Sequence, residues 1–196
     1  MSVPENNTPV AAPPAAKPRR VCRILRWVEP ILACAGLCFI VYHLCFEFTV
    51  MVSDSMAPAL SGTAYENGDS VLLEKVTGRF RAPRRWEIHS YYDTEGNRVA
   101  KRVVGLPGER IAIKNNVIFI NGSPLERPKY LQTNRYFGFG TLAGNREVNC
   151  GKGYFMLGDS SADSFDSRYT GIVTGDRFRG RAWCILWPPA RAGFVR

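Results

Sequence analysis

The sequence predicts an all-β domain of coiled antiparallel sheets, barrel-like in its architecture, preceded by one N-terminal transmembrane helix. One apolar run near the N-terminus is almost unbroken, whereas every later apolar run is short and rich in β-branched or aromatic residues. Turns rich in Gly and Pro separate the short runs, and no convincing helix pattern follows the first run. Many short strands without intervening helices are typical of sandwiches and barrels.

The composition bounds the size of the protein and its partners. A chain of 196 residues can hold one core-bearing domain and an anchor. The net charge is +9, but five basic residues and one acidic residue precede the long apolar run, and the remaining excess is spread among acids. Because no basic run is interleaved with aromatic residues, we predict no nucleic-acid partner.

The N-terminal part of the chain predicts a tail and a membrane anchor. Residues 1–26 are rich in Pro, Ala and basic residues, which predicts a disordered cytoplasmic tail. Residues 27–47 predict the anchor, because residues 30–46 are almost uniformly apolar, with His43 as the one strong exception. As a helix this run spans roughly 25 Å, slightly less than the ~30 Å hydrocarbon core of a bilayer. A cleavable signal peptide and a buried core helix are the alternatives.

The remaining residues, 48–196, predict a β-rich domain outside the cytoplasm. The basic residues before the anchor predict that the N-terminus stays inside, so everything after the anchor lies outside. Alternating or β-branched runs bounded by turn residues indicate the strands: FTVMV, SVLLEKV, WEIHSYY, NRVAKRVVG, RIAIKNNVIFING (two strands), GYFMLGD and RAWCILW.

The cysteines and histidines predict no metal site and no cofactor. The chain has six Cys and two His, and no pair of cysteines has the CxxC spacing. Three cysteines lie in the apolar run, where they are expected to pack as small hydrophobic residues. Cys150 and Cys184 could form a disulfide in an oxidising compartment, but the sequence alone does not bring them within reach.

Few side chains outside the anchor can act as a base. A Ser-His-Asp triad needs a histidine, and His89, within a predicted strand, is the one available. A lysine can serve if burial lowers its pKa, since an ammonium group accepts no proton. Lys101 lies on a predicted strand with Val99 and Val103 on its own face. The alternative for Lys101 is an ordinary lysine on a solvated strand face.

Five motifs, taken in order, resemble those of type I signal peptidases. The resemblance runs from about residue 30 to about residue 187, and KRVVGLPGE followed by SFDSRY is its most specific part. The motifs are SDSMAPAL (53–60), NGDSVLLEK (67–75), RRWEI (84–88), KRVVGLPGE (101–109) and GDSSADSFDSRYTG (158–171).

The resemblance implies a Ser-Lys dyad. Ser55 matches the family's nucleophile and Lys101 its general base. The hydroxyl of Ser53 and the backbone N–H of Ser55 would form the oxyanion hole. Ser164 would hydrogen-bond the lysine amine and orient it. Structural support is expected from five further matched residues: Asp159, Asp166, Arg168, Met56 and Pro58.

Three residues depart from the family pattern. Asp54 stands where the family has Gly, and a carboxylate near Lys101 would favour its charged form. Strand alternation places Asp54 opposite Ser53 and Ser55, so we expect its side chain to face solvent. Ala59 replaces a Thr and Ser160 replaces an Asn, changes that remove no catalytic atom.

The resemblance also implies an activity and a location. It implies a membrane-anchored serine endopeptidase that removes signal peptides from exported precursors with Ala-x-Ala cleavage sites, without a cofactor. The protein would sit in the cytoplasmic (inner) membrane as a single-pass protein, contacting the bilayer and, transiently, the secretion translocon. A conjugation-type or organellar maturation peptidase is one alternative, and a non-catalytic peptide-binding β-domain is another.

Overall fold

A computed structural model describes residues 20–196, with side chains from residue 26 onward. Helix α1 covers Arg20–Cys45, so most of the predicted tail lies outside the described residues and its last seven residues are helical. Within α1, Arg26–Cys45 is long and apolar enough to cross a membrane, and its 20 residues rise about 30 Å. The chain divides into two units, residues 1–40 and residues 41–196.

The second unit consists mainly of antiparallel strands, as the sequence predicts. Every strand pair is antiparallel. The strands are β1 (Phe46–Val50), β2 (Ser70–Glu74), β3 (Ile88–Tyr92), β4 (Arg98–Gly105), β5 (Arg110–Lys114), β6 (Val117–Ile120), β7 (Ser123–Pro124), β8 (Glu147–Asn149), β9 (Phe155–Leu157), β10 (Phe178–Trp187) and β11 (Gly193–Phe194), with short helices α2 (Thr77–Phe80) and α3 (Ser167–Thr170).

The strands form two sheets. The larger sheet has the order β1-β2-β10-β3-β4-β9, and β11 pairs with β10. The smaller sheet has the order β7-β6-β5-β8. The prediction of antiparallel sheets is confirmed, but β1 and β9 at the two ends of the larger sheet do not pair, so among the described residues no barrel closes.

Several boundaries differ from the sequence prediction for identifiable reasons. β1 begins two residues early and ends at Val50, and the N–H of Met51 adds one more bond in the same register, to the carbonyl of Asp69, before the chain enters the 3₁₀ turn at Asp54. The helices α2 and α3, of four residues each, were not predicted. A single turn is too short to produce a helical hydrophobic period.

Three hydrophobic clusters pack the second unit, and the predicted disulfide alternative is not formed. Cys150 is buried in the cluster under the smaller sheet, and both Cys150 and Cys184 are free thiols. Burial raises the pKa of the Cys150 thiol to about 11. The packing role expected for small soft residues therefore extends to Cys150.

Candidate active site

The segment that leaves β1 holds Ser55 in a tight turn. A 3₁₀ turn covers Asp54–Met56, and Ser53 caps it by accepting the Ser55 N–H on its hydroxyl at 3.2 Å. Met56, fully buried, fixes the turn in the core of the larger sheet. Pro58 is exposed, and its carbonyl accepts a hydrogen bond from Arg191 at 3.0 Å. Met56 therefore anchors the turn from inside, and Arg191 holds it from outside.

Close backbone packing fixes where this turn starts. A Cβ atom at Gly62 would lie 2.1 Å from the carbonyl oxygen of Met51, and one at Gly68 would lie 1.8 Å from it. Both positions therefore require glycine, because no side chain could be accommodated without moving the backbone. The loop after the serines presses directly against the end of β1.

Lys101 reaches Ser55 from strand β4 of the larger sheet. It lies on β4, which pairs with β3 and β9, and only 4% of it is exposed. Its Nζ donates a hydrogen bond to the Oγ of Ser55 at 2.6 Å. The structure thus brings together the two side chains that the sequence predicts as a dyad, 46 residues apart in the chain.

Burial gives the Lys101 amine an unusual pKa. Desolvation is the largest influence and, with the positive charge of Arg168, lowers the pKa to about 8 against the opposing effect of Asp166. At pH 7 about one amine in ten is then neutral, roughly 300-fold more than for an exposed lysine. A neutral amine bonded to a hydroxyl can accept its proton, which is the property that a base needs.

Asp166 and Arg168 form the buried support beside the lysine. One carboxylate oxygen of Asp166 accepts the Nε of Arg168 and the other accepts its Nη2, both at 2.8 Å. Asp166 also accepts the Gly158 N–H at 3.0 Å. The Nη1 of Arg168 donates to the Ser161 hydroxyl and the Phe137 carbonyl, and the second Nη2 hydrogen goes to the Ser161 carbonyl. Two fully buried charges are thereby paired, as their burial requires.

Ser164 makes a different contact from the one expected. Its hydroxyl donates to Asp166 at 2.8 Å, and it forms no hydrogen bond with the Lys101 amine. It lies close to the serine turn, because a Cβ at Gly158 would be 2.1 Å from the Ser164 Oγ and 2.5 Å from the Ser55 carbonyl oxygen. The nearby carboxylate competes successfully for its single proton, so its orienting role stays a prediction.

Arg102 is a site residue that the sequence reasoning missed. Its Nε and Nη2 donate to the two oxygens of Asp159 at 2.7 and 2.6 Å, and both residues are buried. Burial by itself lowers the pKa of Arg102, but the hydrogen bonds and the charge of Asp159 outweigh this effect and hold the pKa above its ordinary value. The sequence held a signal for this pair. Asp159 was predicted to be structural, and a buried carboxylate needs a cationic partner; Arg102, next to Lys101 on the opposite face of the same strand, was a candidate for that partner.

The three departures from the family pattern are accommodated. Asp54 is exposed, and its Oδ1 accepts the Gly62 N–H at 2.9 Å, so its carboxylate is engaged away from the lysine. Ala59 packs against the core of the larger sheet. Ser160 donates its backbone N–H to the Ser55 carbonyl at 3.1 Å, a contact that any side chain at this position could make.

A groove runs beside the dyad between two free strand edges. It is a cavity of about 450 Å³ lined by residues 48–53 and 98–101, together with Ser55, Met56, Tyr65 and Ser90. β1 pairs on one side only, and the part of β4 before Arg102 pairs only with β3. Free edges carry unpaired N–H and C=O groups, which can bind an extended peptide as an added strand.

The other candidate groups do not join this site. His89 faces Glu87, with 3.3 Å between its Nε2 and the carboxylate, and packs on the ring of Phe178. Within residues 20–196 no group of three or more His, Cys, Asp or Glu side chains is arranged to hold a metal. The chemistry available here is that of a serine hydroxyl and a lysine amine, the machinery of a serine hydrolase with a lysine base.

Comparison with known proteins agrees with this class. Residues 24–187 match the family described as signal peptidase, peptidase S26. A signal peptidase I of Leptolyngbya laminosa is 30% identical, covering 97% of this chain and 93% of its own. Signal peptidase I of Bacillus caldolyticus is 32% identical over 73% of this chain and 80% of its own.

The chain belongs to the signal peptidase family, peptidase S26, and it is a serine endopeptidase. The predicted resemblance is therefore confirmed. Among solved structures, a signal peptidase I from Enterococcus faecalis V583 is 33% identical with a TM-score of 0.43, covering 52% of this chain and 97% of that one.

Proposed function

We propose that this protein removes N-terminal signal peptides from exported precursors, with Ser55 as the nucleophile and Lys101 as the general base. The observation that carries the proposal is the 2.6 Å hydrogen bond between the Lys101 amine and the Ser55 hydroxyl. Both groups are buried, so the amine can lose its proton near neutral pH without a histidine.

The reaction proceeds by acyl transfer. The Ser55 Oγ attacks the scissile carbonyl carbon while Lys101 takes the hydroxyl proton, and the charged amine then protonates the leaving nitrogen as the C–N bond breaks. Lys101 next accepts a proton from water, whose oxygen attacks the ester carbon and releases Ser55. Each proton taken up by the lysine is returned, so the enzyme ends unchanged.

The Ser53 hydroxyl changes its role when substrate binds. In the free protein it accepts the Ser55 N–H. An incoming carbonyl oxygen takes its place as acceptor of that N–H, and the Ser53 hydroxyl rotates to donate its own hydrogen to the same oxygen. Two donors then stabilise the negative charge that develops in the transition state.

The groove accounts for a peptide substrate in extended form. The precursor pairs with the free edges of β1 and of residues 98–101, and its scissile bond is placed beside Ser55. Apolar side chains along the groove, including Val50 and Val99, suit the small residues of an Ala-x-Ala cleavage site. Pairing with the main chain provides affinity for many peptide sequences, and the apolar side chains along the groove select the side chains next to the scissile bond.

The anchor places this chemistry at a membrane surface. Arg26–Cys45 crosses the cytoplasmic membrane, the basic tail stays inside, and the β-rich domain faces outward. Ser55 follows the end of α1 by about ten residues, a maximum reach of about 35 Å. The short tether restricts the site to the depth where a signal peptide emerges, and transient contact with the translocon there is part of the proposal.

The test is precursor cleavage by the purified full chain in detergent. We expect Ser55→Ala and Lys101→Ala each to lower kcat/KM by about 10³-fold or more, with thermal melting unchanged within a few degrees. Equal processing by the wild type and both variants would remove the dyad. Accumulation of many exported precursors on depletion, rather than one, separates general signal peptide removal from a specialised maturation role.

A further inference from the structure

A second, strongly basic pocket lies apart from the groove. It has a volume of about 200 Å³ and shares no lining residue with the groove. We call it the α2 pocket, because Gly78 and Arg79 of α2 form part of its wall. Its charged lining residues are Glu74, Lys75, Arg79, Arg179 and Arg181.

Three of these cations have no carboxylate partner. Arg181 is occupied by Glu74 at 2.9 Å. Lys75, Arg79 and Arg179 form no ion pair among the described residues, and Arg179 lies over an aromatic ring, 4.7 Å from its centroid. Glu74 offsets one of the four basic side chains, so the pocket keeps an excess of positive charge, and an anion bound among the remaining cations relieves their mutual repulsion.

The α2 pocket is joined to the end of α1. The Nζ of Lys75 donates to the carbonyl of His43 at 2.7 Å, and Nη2 of Arg79 donates to the carbonyl of Leu44 at 3.3 Å. α1 ends at Cys45, so both contacts fall on the last turn of the candidate membrane span. These contacts place the pocket beside the residues at which the candidate span ends.

An exposed aromatic residue adjoins the basic groups. Phe80, the last residue of α2, is 84% exposed, and it directly follows Arg79. Exposed aromatic rings next to cations are typical of protein segments that rest in the membrane interface. The basic pocket complements the phosphate of an acidic lipid, and Phe80 complements the start of its acyl chain.

We propose that the α2 pocket binds the phosphate of an anionic phospholipid, with Phe80 entering the interface beside it. This inference rests on the proposed membrane anchoring, not on the peptidase chemistry. The lipid would hold the β-rich domain at a fixed height above the bilayer through contacts independent of the helix. Lys75, Arg79 and Arg179 provide the charge, and the carbonyl contacts of the first two pre-position them.

Lipid selectivity tests the assignment directly. The full chain is placed in phosphatidylcholine vesicles, and spin-labelled phosphatidylglycerol and phosphatidylcholine report their relative association with the protein. We expect the wild type to prefer phosphatidylglycerol, and the double variant Arg79→Ala/Arg179→Ala to lower that preference by at least about fivefold at low salt. The double variant Arg146→Ala/Lys152→Ala is the matched control, since it removes the same charge from exposed positions on either side of β8 in the smaller sheet.

Three outcomes decide the proposal. An equal loss of lipid preference in both double variants would mean that net charge, not the pocket, attracts the lipid, and no loss in either would remove the site.

A separate measurement distinguishes the lipid from free phosphate. If inorganic phosphate at constant ionic strength raises the melting temperature in neutral detergent, and the variant Arg79→Ala/Arg179→Ala abolishes the shift, the ligand is free phosphate and the lipid assignment fails. The inactive Ser55→Ala variant is expected to keep the full lipid preference, which separates failure here from failure of the dyad.

Phe80 has its own readout. The variant Phe80→Trp adds a tryptophan at the proposed interface. Brominated acyl chains are expected to quench a larger fraction of the tryptophan fluorescence in this variant than in the wild type. If the fluorescence added by Trp at position 80 is not quenched, residue 80 lies in water and its part in the proposal is overturned.

Discussion

Lys101 and Arg102 are consecutive buried cations on β4, and the two faces of the strand give them opposite surroundings. Arg102 forms a bidentate ion pair with Asp159, so the positive charge of the guanidinium is balanced by the carboxylate. Lys101 meets an uncharged hydroxyl at 2.6 Å, and burial lowers its pKa to about 8. The comparison shows that burial alone does not decide what a buried cation does. A guanidinium keeps its proton and here is paired with a carboxylate, whereas an amine bonded only to a hydroxyl can lose its proton, and this difference separates a structural ion pair from a base.

Exchanging the two side chain types is expected to have the largest effect. Lys101→Arg keeps a positive charge but cannot be deprotonated in a protein, so we expect kcat/KM on a precursor to fall by about 10⁴-fold. Lys101→Met, which matches the lysine in length without any amine, is the control for packing and is expected to lose as much. Activity of Lys101→Arg within tenfold of the wild type would show that another group is the base.

The reverse exchange has a different expected result. Arg102→Lys loses the bidentate geometry but keeps a charge beside Asp159. We expect it to cleave precursor within a few-fold of the wild type while melting at a lower temperature. A loss of activity as large as that of Lys101→Arg, in a folded protein, would contradict the division of roles between the two faces.

Removing the carboxylate from the Arg102 face is the next largest change. Asp159→Ala leaves the Arg102 guanidinium buried without its partner, and we expect a loss of about 3–5 kcal/mol in the free energy of unfolding. The control is Glu147→Ala, which breaks the exposed pair with Arg110 at 3.9 Å and is expected to cost about 1 kcal/mol or less. Equal losses in a denaturant titration would mean that the buried pair has no special weight.

The sequence could predict the chemistry better than the contacts that support it. Ser55 and Lys101 follow from short motifs and from the scarcity of histidine. Asp54 is exposed as expected, but it lies in a 3₁₀ turn and not in a strand, so strand alternation is not the reason. The pairing of Arg102 with Asp159 depends on which segments meet in three dimensions, and the pairing of Ser164 with Asp166, two residues away, depends on how their loop turns. A local pattern carries no such information when its partner is 57 residues away, as in the first pair.

The same reason explains what was missed in the fold. Strands of five or more residues produce a readable alternation, and β2, β3, β4 and β10 were each predicted. The one-turn helices and the short strands β7, β8 and β11 were not predicted, and they form because neighbours hold them, as the carbonyls at the end of α1 hold Lys75 and Arg79 of the α2 pocket; β9 was predicted although it has only three residues. Their existence is a property of the packed chain.

Titration of the Lys101 amine tests the central claim most directly. With the full chain in detergent and lysine labelled at its side-chain nitrogen, the Nζ resonance assigned through Lys101→Met is expected to titrate with a midpoint near pH 8. Because the neutral amine is the active form, kcat/KM should rise about tenfold per pH unit below that midpoint and level off above it. A midpoint near 10.5, the ordinary value for lysine, with activity level through pH 8, would contradict the claim.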